Sequence, residues 1–240
     1  MTRGILIIGN ESSLFSAAAG EALKRVESFA SAYIPNRFPL PEAGVVPTST
    51  VSPETQPATR AIPLSWNPSS PISARTLIVA AENRLKKIND AIAICSPPAL
   101  FKTAEALTPE EIEIIVNDHI RGWFYLIREL VLYFRRAGSG SLSFLAPEIV
   151  SGGESTWGVS SGNRNIPVDF VGLSALASFR AFAQGVLTAH IAEPFQVMGF
   201  TGAEAGKEVD FSAWFFKLID ESAKKNSGRW HKFSRIKFFR

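Results

Sequence analysis

The sequence predicts one three-layer α/β domain built on a doubly wound parallel sheet, and three observations predict it. Gly4–Gly9 (Gly-Ile-Leu-Ile-Ile-Gly) and Ala91–Cys95 (Ala-Ile-Ala-Ile-Cys) are short, continuous aliphatic runs. Runs of this kind suit strands buried on both faces, as in a parallel sheet. They alternate with longer helical stretches, so the chain reads β-α-β repeatedly, which covers a parallel sheet on both faces. The length of 240 residues, with 46% hydrophobic and 20% charged side chains, fits a single folded domain that buries its own core.

The elements follow in order. Ser12 and Ser13 are caps for an Ala-rich helix from about Leu14 to Val26. Phe29–Ile34 reads as the second strand, halted by Pro35. Pro35–Arg60 holds six prolines and many Ser and Thr residues without periodicity, and is read as an insertion. Ala61–Trp66 reads as a short strand. Asn67, Ser69 or Ser70 then caps a helix to about Ile88, with Pro71 in its first turn. After Ala91–Cys95 come the breakers Pro97-Pro98. Thr108-Pro109-Glu110-Glu111 is a helix start, with a cap, an early proline and acids at the positive end of the dipole. That helix is expected to run unbroken to about Arg136 and to stop at Gly138. Ser141–Leu145 reads as a strand, Glu148–Ile166 as a Gly/Ser-rich loop, Asp169–Ala192 as a helix, Phe195–Phe200 as a strand and Phe211–Lys225 as a last helix.

Composition excludes several classes. One cysteine, Cys95, permits no intramolecular disulfide and suits a reducing, cytoplasmic setting. No apolar run reaches the ~20 residues that a membrane-spanning helix needs, and the short stretch before the first strand does not read as a signal peptide. His119, His190 and His231 have no metal-ligand spacing. Residues 224–240 carry seven basic side chains and no acid, which leaves 18 basic against 22 acidic side chains in the rest. The basic charge is therefore a feature of the tail, not of the body.

Several segments, in their order and spacing, resemble the short-chain dehydrogenases/reductases. Asn89-Asp90-Ala91-Ile92-Ala93-Ile94-Cys95 resembles the family's strand that opens with Asp. Val116-Asn117 matches its Val-Asn helix, whose Asn supports the active-site water and lysine. Gly138-Ser139-Gly140-Ser141-Leu142 resembles the turn into the next strand, and Gly228 the entry to the last one. Ser174–Leu187 looks like the helix that carries the Tyr-x-x-x-Lys pair. The resemblance covers most of the chain except Pro35–Arg60 and the last ten or so residues. It implies a Rossmann-type fold, with NAD(P) held at Gly9, Asn10, Ser12, Ser13 and Ser96, and Asn117 as the one retained catalytic position.

The departures are as specific as the matches. The Tyr position falls on Gly172 and the Lys position on Leu176, and the catalytic Ser falls on Pro147 or, one residue earlier, on Ala146. No register rescues the pair, since no tyrosine follows Tyr133 and no lysine lies between Thr103 and Gly206. The reaction needs a phenol of lowered pKa beside an ammonium group. In the cofactor turn Gly9 survives, but Ser13 and Phe15 stand where the family has glycines that allow close approach of the pyrophosphate. Glu11 adds negative charge there. Cys95-Ser96-Pro97-Pro98 replaces the family's Asn-Asn-Ala-Gly, and its prolines remove two backbone donors.

The implied function is that of a short-chain dehydrogenase/reductase-like pseudoenzyme serving as a scaffold, subunit partner or small-ligand binder, with no cofactor expected unless the turn still functions. The alternatives are an atypical NAD(P)-dependent oxidoreductase and a binding module using the tail from Asn226. In the tail, Trp230, His231, Lys232 and Phe233 interleave aromatic and basic groups suited to nucleic acid or an anionic membrane. The plainer reading of this tail is an edge strand over the sheet or a neighbouring subunit. The other candidates also have plain readings. Asp118 and His119 are expected on a solvated helix face, Cys95 in the core, and Ser151 and Ser155 have no histidine nearby in sequence for a triad. Family helices matched by Thr108–Arg136 and Asp169–Ala192 pack in dimers. The apolar residues Ile115, Trp123, Leu126, Ile127, Leu130 and Phe134 of the first, and Leu173, Leu176, Phe179, Phe182, Val186 and Ala189 of the second, suggest a homodimer or a dimer with a paralogue.

Overall fold

A computed structural model describes residues 3–35, 37–38, 61–97, 100, 102–147, 154–155, 159–160, 170–202, 206–221 and 226–233. The body of the Pro35–Arg60 insertion, Pro98, Ser151 and the tail from Ser234 onward lie outside the described residues.

Strands β1 (Ile5–Gly9), β2 (Phe29–Tyr33), β3 (Ala61–Leu64), β4 (Asp90–Ile94), β5 (Ser141–Ala146), β8 (Gln196–Thr201) and β9 (Arg229–Lys232) form one seven-stranded parallel sheet in the order β3-β2-β1-β4-β5-β8-β9. Two-residue strands β6 (Glu154–Ser155) and β7 (Val159–Ser160) pair as a hairpin within the expected Gly/Ser-rich loop. The aliphatic runs are buried on both faces, as their composition predicts. Along β1, Ile5 and Ile7 enter one core cluster and Leu6 and Ile8 the other. Along β4, Ile92 and Ile94 join the first and Ala91 and Ala93 the second. This is the period of two that a pleated strand imposes.

Helix α1 (Ser13–Leu23) is capped by Ser12, whose side chain accepts from Phe15 N. Helix α2 (Pro71–Leu85) is capped by Ser70 and ends earlier than expected. The helix expected over Thr108–Arg136 is not continuous. Its start is as predicted, with Thr108 and Glu111 forming a capping box at α3 (Pro109–Ile114). Ile115–Arg121 is then wound as a π-helix before α4 (Gly122–Ala137). The wider turn leaves the Gly122 N–H bonded to the Asn117 carbonyl, five residues back. Gly122 is needed where it is, because a Cβ there would stand 2.5 Å from Pro68 Cβ. Helices α5 (Phe170–Ala189) and α6 (Glu208–Asp220) complete the layers.

Helices α2, α4 and α5 pack on one face, and α1 and α6 on the other. The β4-to-β5 and β5-to-β8 crossovers both step across the sheet over the first face. The β8-α6-β9 connection steps the same way over the second face, so it has the opposite hand. This is the minority topology for parallel crossovers. Trp230 supports that last strand. Its ring lies where a Cβ on Gly199 would approach within 2.4 Å, and the Arg180 guanidinium lies 5.4 Å from its ring. The first part of the basic tail is thus an edge strand on the sheet.

Candidate functional site

In doubly wound sheets the ligand crevice opens beyond the carboxyl ends of the strands, where the strand order reverses. Here the reversal lies between β1 and β4. The two strands approach so closely that a Cβ on Gly9 would sit 2.6 Å from the Ile94 carbonyl oxygen. Strand packing alone therefore requires glycine at position 9. The next residue, Asn10, is 8% exposed, and its Oδ1 is buried without a hydrogen-bond partner.

Ser12 is occupied as the cap of α1, at 3.1 Å from Phe15 N. Ser13 donates its hydroxyl to Glu208 Oε1 at 3.0 Å, which brings a carboxylate from α6 to the first turn of α1. No residue between Gly9 and Ser13 has a left-handed backbone. The turn is therefore built without the special conformation that only glycine adopts freely. Phe15 points into the core at 2% exposure and meets the Tyr33 ring at 4.5 Å between centroids. Tyr33 ends β2, where dinucleotide-binding folds place a ribose-binding carboxylate. Burial, then the nearby Glu11 carboxylate, raises its phenol pKa. Ser96 follows β4 half-buried, one residue past Cys95, whose buried thiol is pushed far up in pKa by desolvation.

The positions matched to the catalytic groups are apolar. Leu176 on α5 is 1% exposed and belongs to the same core cluster as Trp123 and Phe179. Gly172 is buried in the first turns of α5. Ala146 ends β5 fully buried, and Pro147 follows half-buried.

The π-helix redistributes the polar residues of its segment. Asn117, the expected catalytic position, accepts a hydrogen bond from the exposed Arg121 Nη1 at 2.8 Å, and Arg121 also donates to the Tyr125 hydroxyl at 2.9 Å. Asp118 and His119 are not on a solvated face: they are 0% and 1% exposed. Asp118 accepts from Ser69 Oγ at 3.1 Å and stands 3.4 Å from Arg37 Nε, an ion pair without hydrogen-bond geometry. Burial raises its pKa, against the opposing pull of Arg37 and Ser69. His119 Nδ1 is buried with no partner, and desolvation lowers the imidazole pKa to about 4, so the ring is neutral at pH 7. The sequence did hold a sign of His119, which falls on the α-helical stripe of Ile115, Trp123 and Leu126.

A second arrangement departs from expectation. Ile115, Trp123, Leu126, Ile127, Leu130 and Phe134 are all buried within the chain itself. So are Leu176, Phe179 and Val186 on α5, while Ala189 is exposed. The outward apolar groups of α4 are instead Phe124 and Leu132, 50% and 45% exposed, with the Phe124 ring tilted against Phe182 at 4.1 Å between centroids. Elsewhere, a polar cavity of about 390 Å³ lies at the amino ends of β4, β5 and β8, among Asn89, Ser141, Glu193 and Gln196. That is the edge of the sheet opposite the crevice. Among the described residues no group of His, Cys, Asp and Glu has metal-site geometry, and no helix is long and apolar enough to cross a membrane.

The whole arrangement, sheet order and paired layers, is shared with solved structures over nearly full length. A Serratia marcescens short-chain dehydrogenase/reductase mutant matches at TM-score 0.66 and 10% identity, covering 96% of this chain and 95% of its own. The fold is that of the short-chain dehydrogenases/reductases. A Brucella melitensis 3-ketoacyl-(acyl-carrier-protein) reductase complexed with NADH matches at TM-score 0.68 and 16% identity, covering 96% of each chain. The TT0495 protein of Thermus thermophilus matches at 0.67 and 14%, covering 97% of each. No protein-family model and no curated protein sequence matches. Gly9, Asn10, Ser12, Ser13 and Ser96 lie at or just past the carboxyl ends of β1 and β4, where the strand order reverses.

Proposed function

We propose that this protein is a catalytically degenerate relative of the short-chain dehydrogenases/reductases, acting as a small-ligand binder or subunit partner without hydride transfer. The observation that carries the reading is Leu176. At the position matched to the family's lysine it is 1% exposed, in the core cluster that also holds Trp123 and Phe179, a place that suits packing and not an ammonium group. The cofactor turn supports the same reading. Ser12 is used as a cap, Ser13 is engaged by Glu208, and Glu11 and Glu208 put two carboxylates near the helix end that would meet a pyrophosphate. If a dinucleotide binds at all, Asn10 and Ser96 are the polar side chains left to hold it. Asn117 then contributes to the surface of its helix through Arg121 and takes no part in chemistry.

The same reading places the protein in the cytoplasm, where its one thiol, Cys95, stays reduced and buried. It also pairs the chain with a second subunit, itself or a paralogue, through α4 and α5, now by way of Phe124 and Phe182. The deciding experiment is a panel of alcohols and carbonyls with NAD(H) and NADP(H), followed at 340 nm as in any such assay. No turnover is expected; robust turnover by the purified protein overturns the reading.

A further inference from the structure

The cavity of about 390 Å³ at the amino ends of β4, β5 and β8 lies on the edge of the sheet opposite the crevice, and its volume suits a small-molecule site. Three connections border it: the Ser139-Gly140 turn into β5, residues 191–195 between α5 and β8, and Ser227 ahead of β9. Asp90, Ser141 and Ser227 line it and are each more than nine-tenths buried. The lining serines have already used their protons. Ser141 donates to Asp90 Oδ1 at 2.6 Å, and Ser139 and Ser227 direct their hydroxyls to the carbonyls of Ala137 and Val197, each at 3.5 Å. What these serines keep for the cavity is lone pairs. Glu193 uses a single oxygen, Oε1, for both Arg135, at 2.8 Å from Nε, and His190, while its Oε2 has no hydrogen bond. The hydrogen bond from Arg135 holds the Glu193 carboxyl below the usual carboxylate range, so it is ionised at neutral pH. The bases nearby, Arg3, Lys87 and Arg135, are bonded to Asp90, Ser139 and Glu193, and none of them lines the cavity.

We propose that this cavity is a binding site of its own and that it takes a small organic cation, a primary ammonium on a short aliphatic body. The lining decides the head group. A carboxylate with one unbonded oxygen, and hydroxyls left with lone pairs, accept hydrogen bonds and supply almost none. An ammonium group brings three donors and the matching charge, and its bond to Glu193 Oε2 is charge-assisted. A carboxylate or phosphate ligand brings acceptors alone and would meet Asp90 and Glu193 with no lining base to answer it. The remaining donor is the Asn89 side-chain amide, whose Oδ1 is taken by Gly4 N at 2.8 Å and whose Nδ2 is left for an oxygen elsewhere on the ligand. Ile191, Pro194 and Phe195 supply the apolar part of the wall. Ile191 is 63% exposed, so an aliphatic body laid against it removes apolar surface from water.

The test uses n-butylammonium as the probe, with 1-butanol and butyrate as controls of the same body and a different head. Binding to the full chain is followed by the methyl shifts of isotope-labelled isoleucine, with Ile191 assigned through Ile191→Val, and all titrations are run at one ionic strength. Butylammonium is expected to move the Ile191 methyls saturably. Butanol should bind about tenfold more weakly, the worth of one charge-assisted hydrogen bond, and butyrate should leave Ile191 in place. Glu193→Gln keeps the shape of the side chain and removes its charge. It should weaken butylammonium about tenfold and leave butanol unchanged. Unmoved Ile191 methyls at tens of millimolar butylammonium, equal affinity for the three heads, or wild-type affinity for butylammonium in Glu193→Gln overturns the proposal. Should Glu193→Gln fail to fold, the comparison of the three heads on the wild-type protein decides alone. Failure here leaves the absence of hydride transfer untouched, since that is read from turnover with NAD(P)(H) and concerns the opposite edge of the sheet.

Discussion

The Ser13 hydroxyl donates to Glu208 Oε1 at 3.0 Å and so ties the first turn of α1 to the first turn of α6. In a nucleotide-binding turn that helix end is open to phosphate. Here it faces a carboxylate of its own chain. NADH and NADPH titrations, read by protein fluorescence, should therefore give no dissociation constant below ~10 μM, or about −7 kcal/mol. Replacing both acids, Glu11→Ala with Glu208→Ala, should tighten whatever binding exists. Unchanged affinity in the double variant would remove the electrostatic part of the argument.

Rebuilding the missing pair is expected to damage the protein rather than to revive it. Leu176 is 1% exposed in the core, so Leu176→Lys buries an unpaired ammonium at about 3–5 kcal/mol. For a chain of this size that lowers Tm by about 10 °C. Gly172→Tyr with Leu176→Lys should melt early and show no reductase activity, because Pro147 and the turn at Ser13 are unaltered. Thermal melts and the alcohol panel check this together.

Acid stability should carry the mark of His119. Burial lowers its folded pKa to about 4, against about 6.5 in the unfolded chain. The folded state therefore binds fewer protons, and stability is lost as pH falls from about 6.5 towards 4. The full difference is about 3 kcal/mol. Urea unfolding of wild type and His119→Gln across that range should show a steeper decline for the wild type. Parallel curves would mean that the imidazole is solvated.

At the amino edge of the sheet, Arg3 pairs with both Asp90 and Asp220, and Arg25 joins Asp220 at 2.9 Å and Glu21 at 3.0 Å. Burial raises the Asp220 and Glu21 pKa values, but their hydrogen bonds to Arg3, Arg25 and Lys24 outweigh it and both end lowered. Asp90 is only 7% exposed and would keep Ser141 Oγ, 2.6 Å away, if the arginine went. Arg3→Met should cost about 1–3 kcal/mol in urea unfolding at pH 7. The cost should shrink below pH 4 as the lowered carboxylates take up protons.

Assembly is tested at Phe124, not at Phe179. Phe179→Glu would place a charge in the core at 2% exposure and should give insoluble protein. Phe124, half exposed against Phe182, is the side chain that a second subunit would cover. Light scattering after size exclusion should show a dimer for the wild type and a soluble monomer for Phe124→Glu. A wild-type monomer at tens of micromolar, without added partner, would rule out self-association.

The sequence by itself determined the parallel sheet, most element positions and the absence of any tyrosine after Tyr133 or lysine between Thr103 and Gly206. Those features are local or categorical. Ile5–Ile8 alternate between two cores because a strand has period two. Ser12, Ser70 and Thr108 cap their helices through their own nearest turns, and Leu176 is leucine in any conformation. Only the tertiary structure decided which residues of the long helix face inward. Asp118 and His119 are buried and Asn117 pairs with Arg121; position 119 lies on the stripe of Ile115, Trp123 and Leu126, but a polar side chain does not by itself announce that the stripe is sealed there. The same holds for Ile115 to Phe134. Their apolar stripe reads equally as interface or core, because burial belongs to the neighbours a residue meets across the sheet and not to the residue alone.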